Sequence, residues 1–282
     1  MSKVRAEASG MTAAPESWQL EGDSAELYER FLVPPVTLPW ALDLVGRVGV
    51  EVGDRVLDLA CGTGAVARVA AELVGDGGRV VGVDVNRAML DVARARLPEL
   101  EWREASVLAL PFADGRFDAV FCQLGLQFFP DRLAALSEMR RVLAPGGRFG
   151  ASVYSSIERN PAAEALSEAL DRRFGEGASR VKRQEHSLAD RAEFASLIAT
   201  AGFGRLRVET VTREVRFASV EEWVRIQFAA TPLAALLAGR EPPELERLVA
   251  LVTSDVADTL ARLEGDCGLA FPQEVHVAGA VA

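Results

Sequence analysis

Residues 55–64 read Arg55-Val56-Leu57-Asp58-Leu59-Ala60-Cys61-Gly62-Thr63-Gly64, and a helical pattern starts at the next residue. The apolar run over 55–60 predicts a buried strand. Residues 65–74 follow as a helix with Val66, Val69, Ala70 and Leu73 on one face, as a helix covering a sheet requires. Between them lies a glycine turn. Without a Cβ the backbone there can approach a ligand closely, and the unpaired amides of the helix start can face it.

Working outward, the same unit recurs. Residues 79–84 form a second apolar strand, followed by a helix marked by Met89, Leu90, Ala93 and Leu97. Strands are predicted at 100–104, 117–122 and 148–154, with a helix over 133–143 that stops at Pro145-Gly146-Gly147. Strands alternating with helices imply a parallel sheet with right-handed crossovers and helices on both faces, a doubly wound α/β fold. Before this core, helices over 24–32 and 38–48 are separated by Val33-Pro34-Pro35, read as an extended link.

After the fifth strand the pattern loosens. Helices are expected over 161–174 and 190–201, a strand over 205–217, and a helix from the capping-box spacing Ser219-Val220-Glu221-Glu222 to Phe228. A long helix over 243–263 carries Leu245, Leu248, Val249, Val252, Val256, Leu260 and Leu263 on one stripe. A last strand over 273–281 alternates Val275, Val277 and Val281. Residues 175–184 read as loop. The expected organisation is an N-terminal helical segment, 1–50, and a domain over 51–282 built on seven mostly parallel strands. Two helical inserts, near 155–188 and 218–264, are candidates for a lid.

The chain has 282 residues, 49% of them apolar and 26% charged, enough for a sizeable core. A formal charge of −10 repels a phosphate backbone and argues against a nucleic-acid partner. No stretch of apolar residues is long enough for a membrane span and residues 1–17 lack the apolar run of a secretory signal, so the expectation is a cytoplasmic protein. Cys61, Cys122 and Cys267 are far apart, with no second ligand at a zinc spacing; neither a disulfide nor a metal site is expected. Nothing indicates an oligomeric state.

Asp84 stands twenty residues after Gly64 at the end of the second strand, where a carboxylate can accept both hydroxyl protons of a ribose. A nucleoside-bearing ligand follows. Gly62-Thr63-Gly64-Ala65-Val66-Ala67 also satisfies the dinucleotide pattern, so NAD is a competitor. Asp58, four residues before Gly62, tips the balance: it would repel a pyrophosphate and attract a positively charged amino group.

The run Val56-Leu57-Asp58-Leu59-Ala60-Cys61-Gly62-Thr63-Gly64 resembles the first motif of class I S-adenosylmethionine-dependent methyltransferases. Three further segments resemble that family in order: Val80-Val81-Gly82-Val83-Asp84, Leu110-Pro111-Phe112-Ala113-Asp114-Gly115-Arg116-Phe117-Asp118, and Arg141-Val142-Leu143-Ala144-Pro145-Gly146-Gly147. The likeness covers roughly residues 51–154 and is nearest to the small-molecule group that includes the ubiquinone- and menaquinone-biosynthesis methyltransferases. It implies the Rossmann-like methyltransferase fold and S-adenosyl-L-methionine as cofactor. Asp58, Ala60, Gly62 and Gly64 would surround the methionyl end with Gln123 and Leu124; Asp84 and Val85 would hold the ribose, and Met89 would lie against adenine. Two departures stand out. Ser106 occupies a position where the family often has an Asp on the adenine amino group, leaving Ser106 or the backbone of Ala105 and Val107 to bind it. Gln127 stands where a His is frequent and is no base. Tyr28, with Trp18 and Phe31, belongs to a segment that covers the cofactor in related enzymes; helix packing is the equal alternative.

A sulfonium methyl is already electrophilic, so a base is needed only for acceptors such as a phenol or alcohol. The candidates for such a base are His186, Tyr154 and Tyr28. His186 could reach a substrate pocket, although a surface position is favoured. His276 reads as a sheet-face residue and Cys61 as packing in a tight turn. Trp223, Ile226, Phe228, Leu233 and Leu236 read as lid core; if some face inward, the acceptor is largely apolar. The expected function is methyl transfer to oxygen or carbon of a small, mainly apolar metabolite. The alternatives are an S-adenosylmethionine-binding protein without that activity, as a sensor or with its pocket put to another reaction, and an NAD(P)-dependent oxidoreductase.

Overall fold

A computed structural model describes residues 19, 20 and 22–282; Trp18 lies outside the described residues. Two helices, α1 (Ser24–Phe31) and α2 (Leu38–Val48), precede the sheet. The proline link between them is helical rather than extended. Val33–Thr37 forms a wide turn in which the N–H groups of Val36 and Thr37 both donate to the Leu32 carbonyl, at 3.1 and 3.2 Å. Pro34 and Pro35 occupy a first turn, where the missing donors would have had no partner.

From there β1 (Arg55–Leu59), α3 (Ala65–Val74), β2 (Arg79–Asp84), α4 (Arg87–Arg96), β3 (Glu101–Glu104), β4 (Phe117–Gln123), α5 (Arg132–Val142) and β5 (Leu143–Tyr154) alternate as expected. The helix α3 buries Val66, Val69, Ala70 and Val74, whereas Leu73 is 44% exposed. In that last turn Val74 takes the inner place because it packs onto Gly78 of the turn into β2. The stop expected at Pro145-Gly146-Gly147 appears inside β5 as a bulge: the register against β4 jumps from Phe117↔Leu143 to Ala119↔Arg148, with Gly146 at φ +77°.

Beyond β5 come α6 (Pro161–Phe174), α7 (Arg180–Gln184), α8 (Arg191–Thr200), β6 (Gly204–Phe217), α9 (Val220–Ala230), α10 (Pro242–Leu260), β7 (Glu264–Gly265) and β8 (Gly268–Val281). Thus part of the stretch expected as loop, 175–184, is helical. The sheet has eight strands, not seven: β7, a two-residue strand too short to leave a pattern in the sequence, pairs with the start of β8. The order is β3-β2-β1-β4-β5-β8-β6; the first five run parallel, and β8 and β6 join antiparallel.

Apolar side chains of α2, α3 and α4 cover one face of the sheet, among them Trp40, Leu44, Val69 and Leu90, packed with Val56, Val80 and Phe121. Leu136, Met139, Phe194 and Ile198, from α5 and α8, cover the other with Leu57, Val81 and Val120. A further cluster joins α6, α9 and α10 to Val215, Phe217, Leu269 and Phe271, where β6 and β8 pair beyond the parallel strands. Among the described residues no single helix is long and apolar enough to cross a membrane.

Candidate active site

The ends of β1, β2, β4 and β5 open on one cavity, roofed by α1, α6 and α9 and the turns that follow α7. Asp58 ends in this cavity from β1. Its side chain is 1% exposed, and Oδ2 accepts the Ala67 N–H of α3 at 3.0 Å. Burial pushes its carboxyl up to about 8, with the nearby Asp84 charge adding to the effect and the Ala67 hydrogen bond opposing it. The chain then turns through Ala60 at φ +51°, a left-handed conformation rare outside glycine, and through Gly62 at φ +54°. Leu124, after β4, is likewise at φ +51°. Ala60, Gly62 and Leu124 all line the cavity.

The two glycines of the turn do different work. A Cβ on Gly62 would meet no atom within 4 Å, so that glycine leaves open space on the cavity side. A Cβ on Gly64, at φ +88°, would collide with the Trp102 ring. Gly64 does not line the cavity; it lets the start of α3 close on the sheet rather than on a ligand.

Asp84 at the end of β2 clamps the same turn. Its Oδ2 accepts the Gly62 N–H and its Oδ1 the Asn86 N–H, both at 2.8 Å, while burial pushes its carboxyl up. The cap of α4 is Asn86, which accepts the Met89 N–H at 3.1 Å and donates from Nδ2 to the Leu20 carbonyl at 3.2 Å. Val85 and Met89 line the cavity beside it. Gln123 donates from Nε2 to the Thr37 carbonyl at 2.9 Å, and its buried Oε1 has no partner among the described residues.

Ala105, Ser106 and Val107 do not reach the cavity wall. The Ser106 hydroxyl instead accepts the Leu108 N–H at 3.2 Å, the Ala105 N–H is spent on the Asp84 carbonyl, and Val107 is buried in the core beneath the sheet. Gln127 is buried, donating to the Leu124 carbonyl at 2.7 Å.

Tyr28 of α1 and Tyr154 at the end of β5 both line the cavity. The Tyr28 hydroxyl lies 3.0 Å from Thr37 Oγ1, and burial pushes its phenol up to about 12; burial also holds the Tyr154 phenol well above its ordinary value. His186 is not on the surface. The chain after α7 folds it in against β5, with Nδ1 2.7 Å from the Ser155 carbonyl and its ring centre 5.2 Å from that of Tyr154. Burial lowers its pKa. His276, by contrast, bridges Thr210 and the Ala189 carbonyl within the sheet, and it does not line the cavity. Cys61 is buried, and desolvation holds its thiol well above the usual range, as packing rather than reactivity requires.

Several wall residues escaped the sequence reading. Lys182 and Glu185 form a buried ion pair at 2.9 Å beside His186; their i,i+3 spacing was the available signal for the short helix α7. Gln227 of α9 presents a buried Oε1 with no partner among the described residues. Trp223, expected as lid core, does both jobs: it packs edge-on to Phe271 at 5.6 Å, and both line the cavity. Among the described residues no group of His, Cys, Asp and Glu could hold a metal ion.

Residues 56–147 match a family model described as a methyltransferase domain. The match takes in the glycine turn and the ends of β1, β2 and β4, about a third of the chain. It is 41% identical over 114 residues to demethylmenaquinone methyltransferase of Lactococcus lactis, a stretch that covers 39% of this chain and 45% of that protein. It is 40% identical over 115 residues to the ubiquinone/menaquinone biosynthesis C-methyltransferase UbiE of Francisella philomiragia, covering 39% and 46%. The chain thus spans under half the length of these curated relatives. Phosphoethanolamine N-methyltransferase 2 of Haemonchus contortus, solved in complex with S-adenosyl-L-methionine, superposes with a TM-score of 0.57 at 21% identity over 91% of this chain and 56% of that one. That likeness shows a shared fold. The methyltransferase domain matched by the family contains Asp58, Gly62, Asp84, Met89 and Gln123, the cavity residues at the strand ends.

Proposed function

We propose that this protein transfers the methyl group of S-adenosyl-L-methionine to oxygen or carbon of a small, mainly apolar acceptor. One observation carries the reading: Asp58, buried, and Asp84, partly buried, face one cavity, and among the described residues neither forms an ion pair with a cation. Such a pair suits a ligand that brings a positive group for one carboxylate and hydroxyl donors for the other. Asp58 would take the amino group of the methionyl end, with the open side of Gly62 and the Gln123 amide beside it. Asp84 would take the ribose, and Met89 with Val85 the adenine. A pyrophosphate in front of the same turn would face Asp58 without a counter-charge.

When bound, the cofactor supplies an electrophilic methyl on sulfur; the protein's part is to orient the acceptor and exclude water. Trp223, Phe271, Phe128, Leu32 and Val36 give the remaining wall an apolar character, relieved by His186 and Gln227. The relatives named for ubiquinone and menaquinone biosynthesis support a reduced quinone ring as an acceptor to try first.

Thermal melting with and without cofactor tests the reading. Ligand at a hundredfold its Kd should stabilise the wild type by about 2.7 kcal/mol. Asp84→Ala should lose that gain, with Asp84→Asn as a milder companion if the first melts too low to score. Undiminished stabilisation of both variants would refute the placement of the ribose. A wild type indifferent to both S-adenosylmethionine and S-adenosylhomocysteine would refute the function.

A further inference from the structure

We propose that His186 is the proton acceptor of the methyl-transfer reaction and that the acceptor therefore carries an ionisable hydroxyl, presented to Nε2 of this histidine. This rests on the methyl-transfer reading above. The geometry around the ring determines which nitrogen is free. Nδ1 lies 2.7 Å from the Ser155 carbonyl oxygen, and a carbonyl only accepts, so Nδ1 carries the hydrogen of the neutral ring. The lone pair is then on Nε2, which has no partner among the described residues, in a side chain that lines the cavity.

The carbonyl that sets this tautomer is itself fixed. Ser155 N–H donates to the Glu274 carbonyl of β8 at 3.1 Å, and Asn160 joins the same two segments: Nδ2 donates to Ser155 Oγ at 3.2 Å, and Oδ1 accepts the Glu274 N–H at 2.9 Å. A ring oriented by a second group, with its far nitrogen turned to a pocket, is the arrangement a general base needs.

The surroundings suit both protonation states. Burial keeps the free imidazole neutral near pH 7. Once it takes a proton, Glu185 and Glu158 favour the cation and Lys182 opposes it, and Lys182 is held by Glu185 through two contacts of 2.9 and 3.0 Å. The other titratable side chains on this wall are poor bases: the Tyr154 and Tyr28 phenols are raised and stay protonated, and Glu185 is engaged by Lys182.

In the step, the acceptor's O–H proton passes to Nε2 and the bonding pair stays on the acceptor as an oxyanion. Its electrons form the new bond to the methyl carbon, while the carbon–sulfur bond breaks with its pair left on sulfur as a thioether. The imidazolium later returns its proton to water.

The chain has two histidines, so imidazole-15N labelling reads them directly. On protein saturated with S-adenosylhomocysteine, His186 should show the Nδ1–H tautomer and remain neutral at pH 7. His276, whose Nε2 lies 2.8 Å from the Ala189 carbonyl, should show the opposite Nε2–H form, and His276→Gln assigns the pair. Added phenol, as the probe, should move the His186 Nε2 resonance and leave His276 in place. An Nε2–H or charged His186, or a resonance that phenol does not move, would overturn the proposal. Failure of S-adenosylhomocysteine to bind would strike the methyltransferase reading instead. In turnover, His186→Gln should keep cofactor affinity within about twofold yet slow transfer to a hydroxylated acceptor by roughly 10²–10⁴-fold and abolish the acidic limb of its pH profile, the rise below pH 7 as the imidazole loses its proton; wild-type rates in that variant would equally overturn it.

Discussion

Binding of S-adenosylhomocysteine should expel a proton near neutral pH, because Asp58 has to ionise to meet the ligand's amino group. In the free protein its carboxyl sits at about 8, against roughly 3.9 for an unperturbed aspartate. Below pH 8 the free carboxyl is protonated and the ligand amine is charged, so pairing them releases one proton and affinity should rise about tenfold per pH unit. Between pH 6 and 8, with both groups half-titrated at the upper end, that amounts to roughly 25-fold, or about 1.9 kcal/mol. An α-amino group titrates at about 8 itself, so above that point the free ligand loses its charge and affinity falls again, with proton uptake. The optimum therefore lies near pH 8. Calorimetry in buffers of different ionisation enthalpy counts the proton, and Asp58→Asn should flatten the acidic limb. A Kd constant from pH 6 to 8, with heats that do not depend on buffer, would refute the reasoning.

The same carboxyl sets a sign for the free protein's stability. Its folded pKa is raised above the unfolded value, so the folded state holds the extra proton and stability declines as pH rises from about 4 to about 8. At about 1.4 kcal/mol per pH unit the decline is at most roughly 6 kcal/mol. Asp58→Asn, which retains an acceptor for the Ala67 N–H, should melt higher than wild type at pH 8 and gain little at pH 4.

Two further perturbations separate ligand contact from packing. Gly62→Ala should cost only ~1–2 kcal/mol of stability, for a left-handed alanine with open space at its Cβ, yet weaken S-adenosylhomocysteine at least ~10-fold by calorimetry. Gly64→Ala adds a collision with Trp102 to the same backbone strain and should cost ~2–5 kcal/mol in a denaturant melt; wild-type stability there would contradict the packing of α3 on Trp102. Arg68→Ala leaves Glu29, 4% exposed, without the guanidinium now 2.9 Å away, and should cost ~1–3 kcal/mol, discounted because Arg68 is partly exposed. It should also speed proteolytic cleavage within α1, which cleavage at the wild-type rate would disprove.

What could be read in the chain beforehand depended on how local its cause was. The helix α3 is bounded by Gly64 and Gly75 at positive φ, and β2 by the charged ends of an apolar run, so both were legible to the residue. Asp58 and Asp84 were legible because strand ends and the glycine turn fix them with few partners. The proline link was misjudged because a wide helical turn depends on a carbonyl five residues back, which proline statistics do not register. His186 was misplaced for a longer-range reason: its burial is decided by β5 and by Asn160 and Glu274, the last 88 residues away, and no periodicity carries that. Ser106 illustrates the opposite error, where likeness to a family pointed to the cavity and a local hydrogen bond to Leu108 turned the hydroxyl elsewhere.

This difference in locality is also a difference in function. The strand ends that carry Asp58, Asp84 and Gln123, and the start of α4 with Met89, belong to residues 56–147, the span matched by the methyltransferase family model. Tyr28, Tyr154, Lys182, His186, Trp223, Gln227 and Phe271 all lie outside it. Lys182, His186, Trp223 and Gln227 stand on the inserts, which rest on the paired ends of β6 and β8 with a hydrophobic cluster of their own; Tyr28 stands on α1, Tyr154 on β5 and Phe271 on β8. A wall with its own core can change its side chains without disturbing the glycine turn, because buried contacts couple neighbours strongly and distant sites hardly at all. Cofactor binding and acceptor choice are therefore separable in this fold. Exchanging Trp223 and Gln227 should shift which acceptors are methylated while leaving S-adenosylhomocysteine affinity unchanged, since both stand on α9 rather than on the turn that Asp84 clamps.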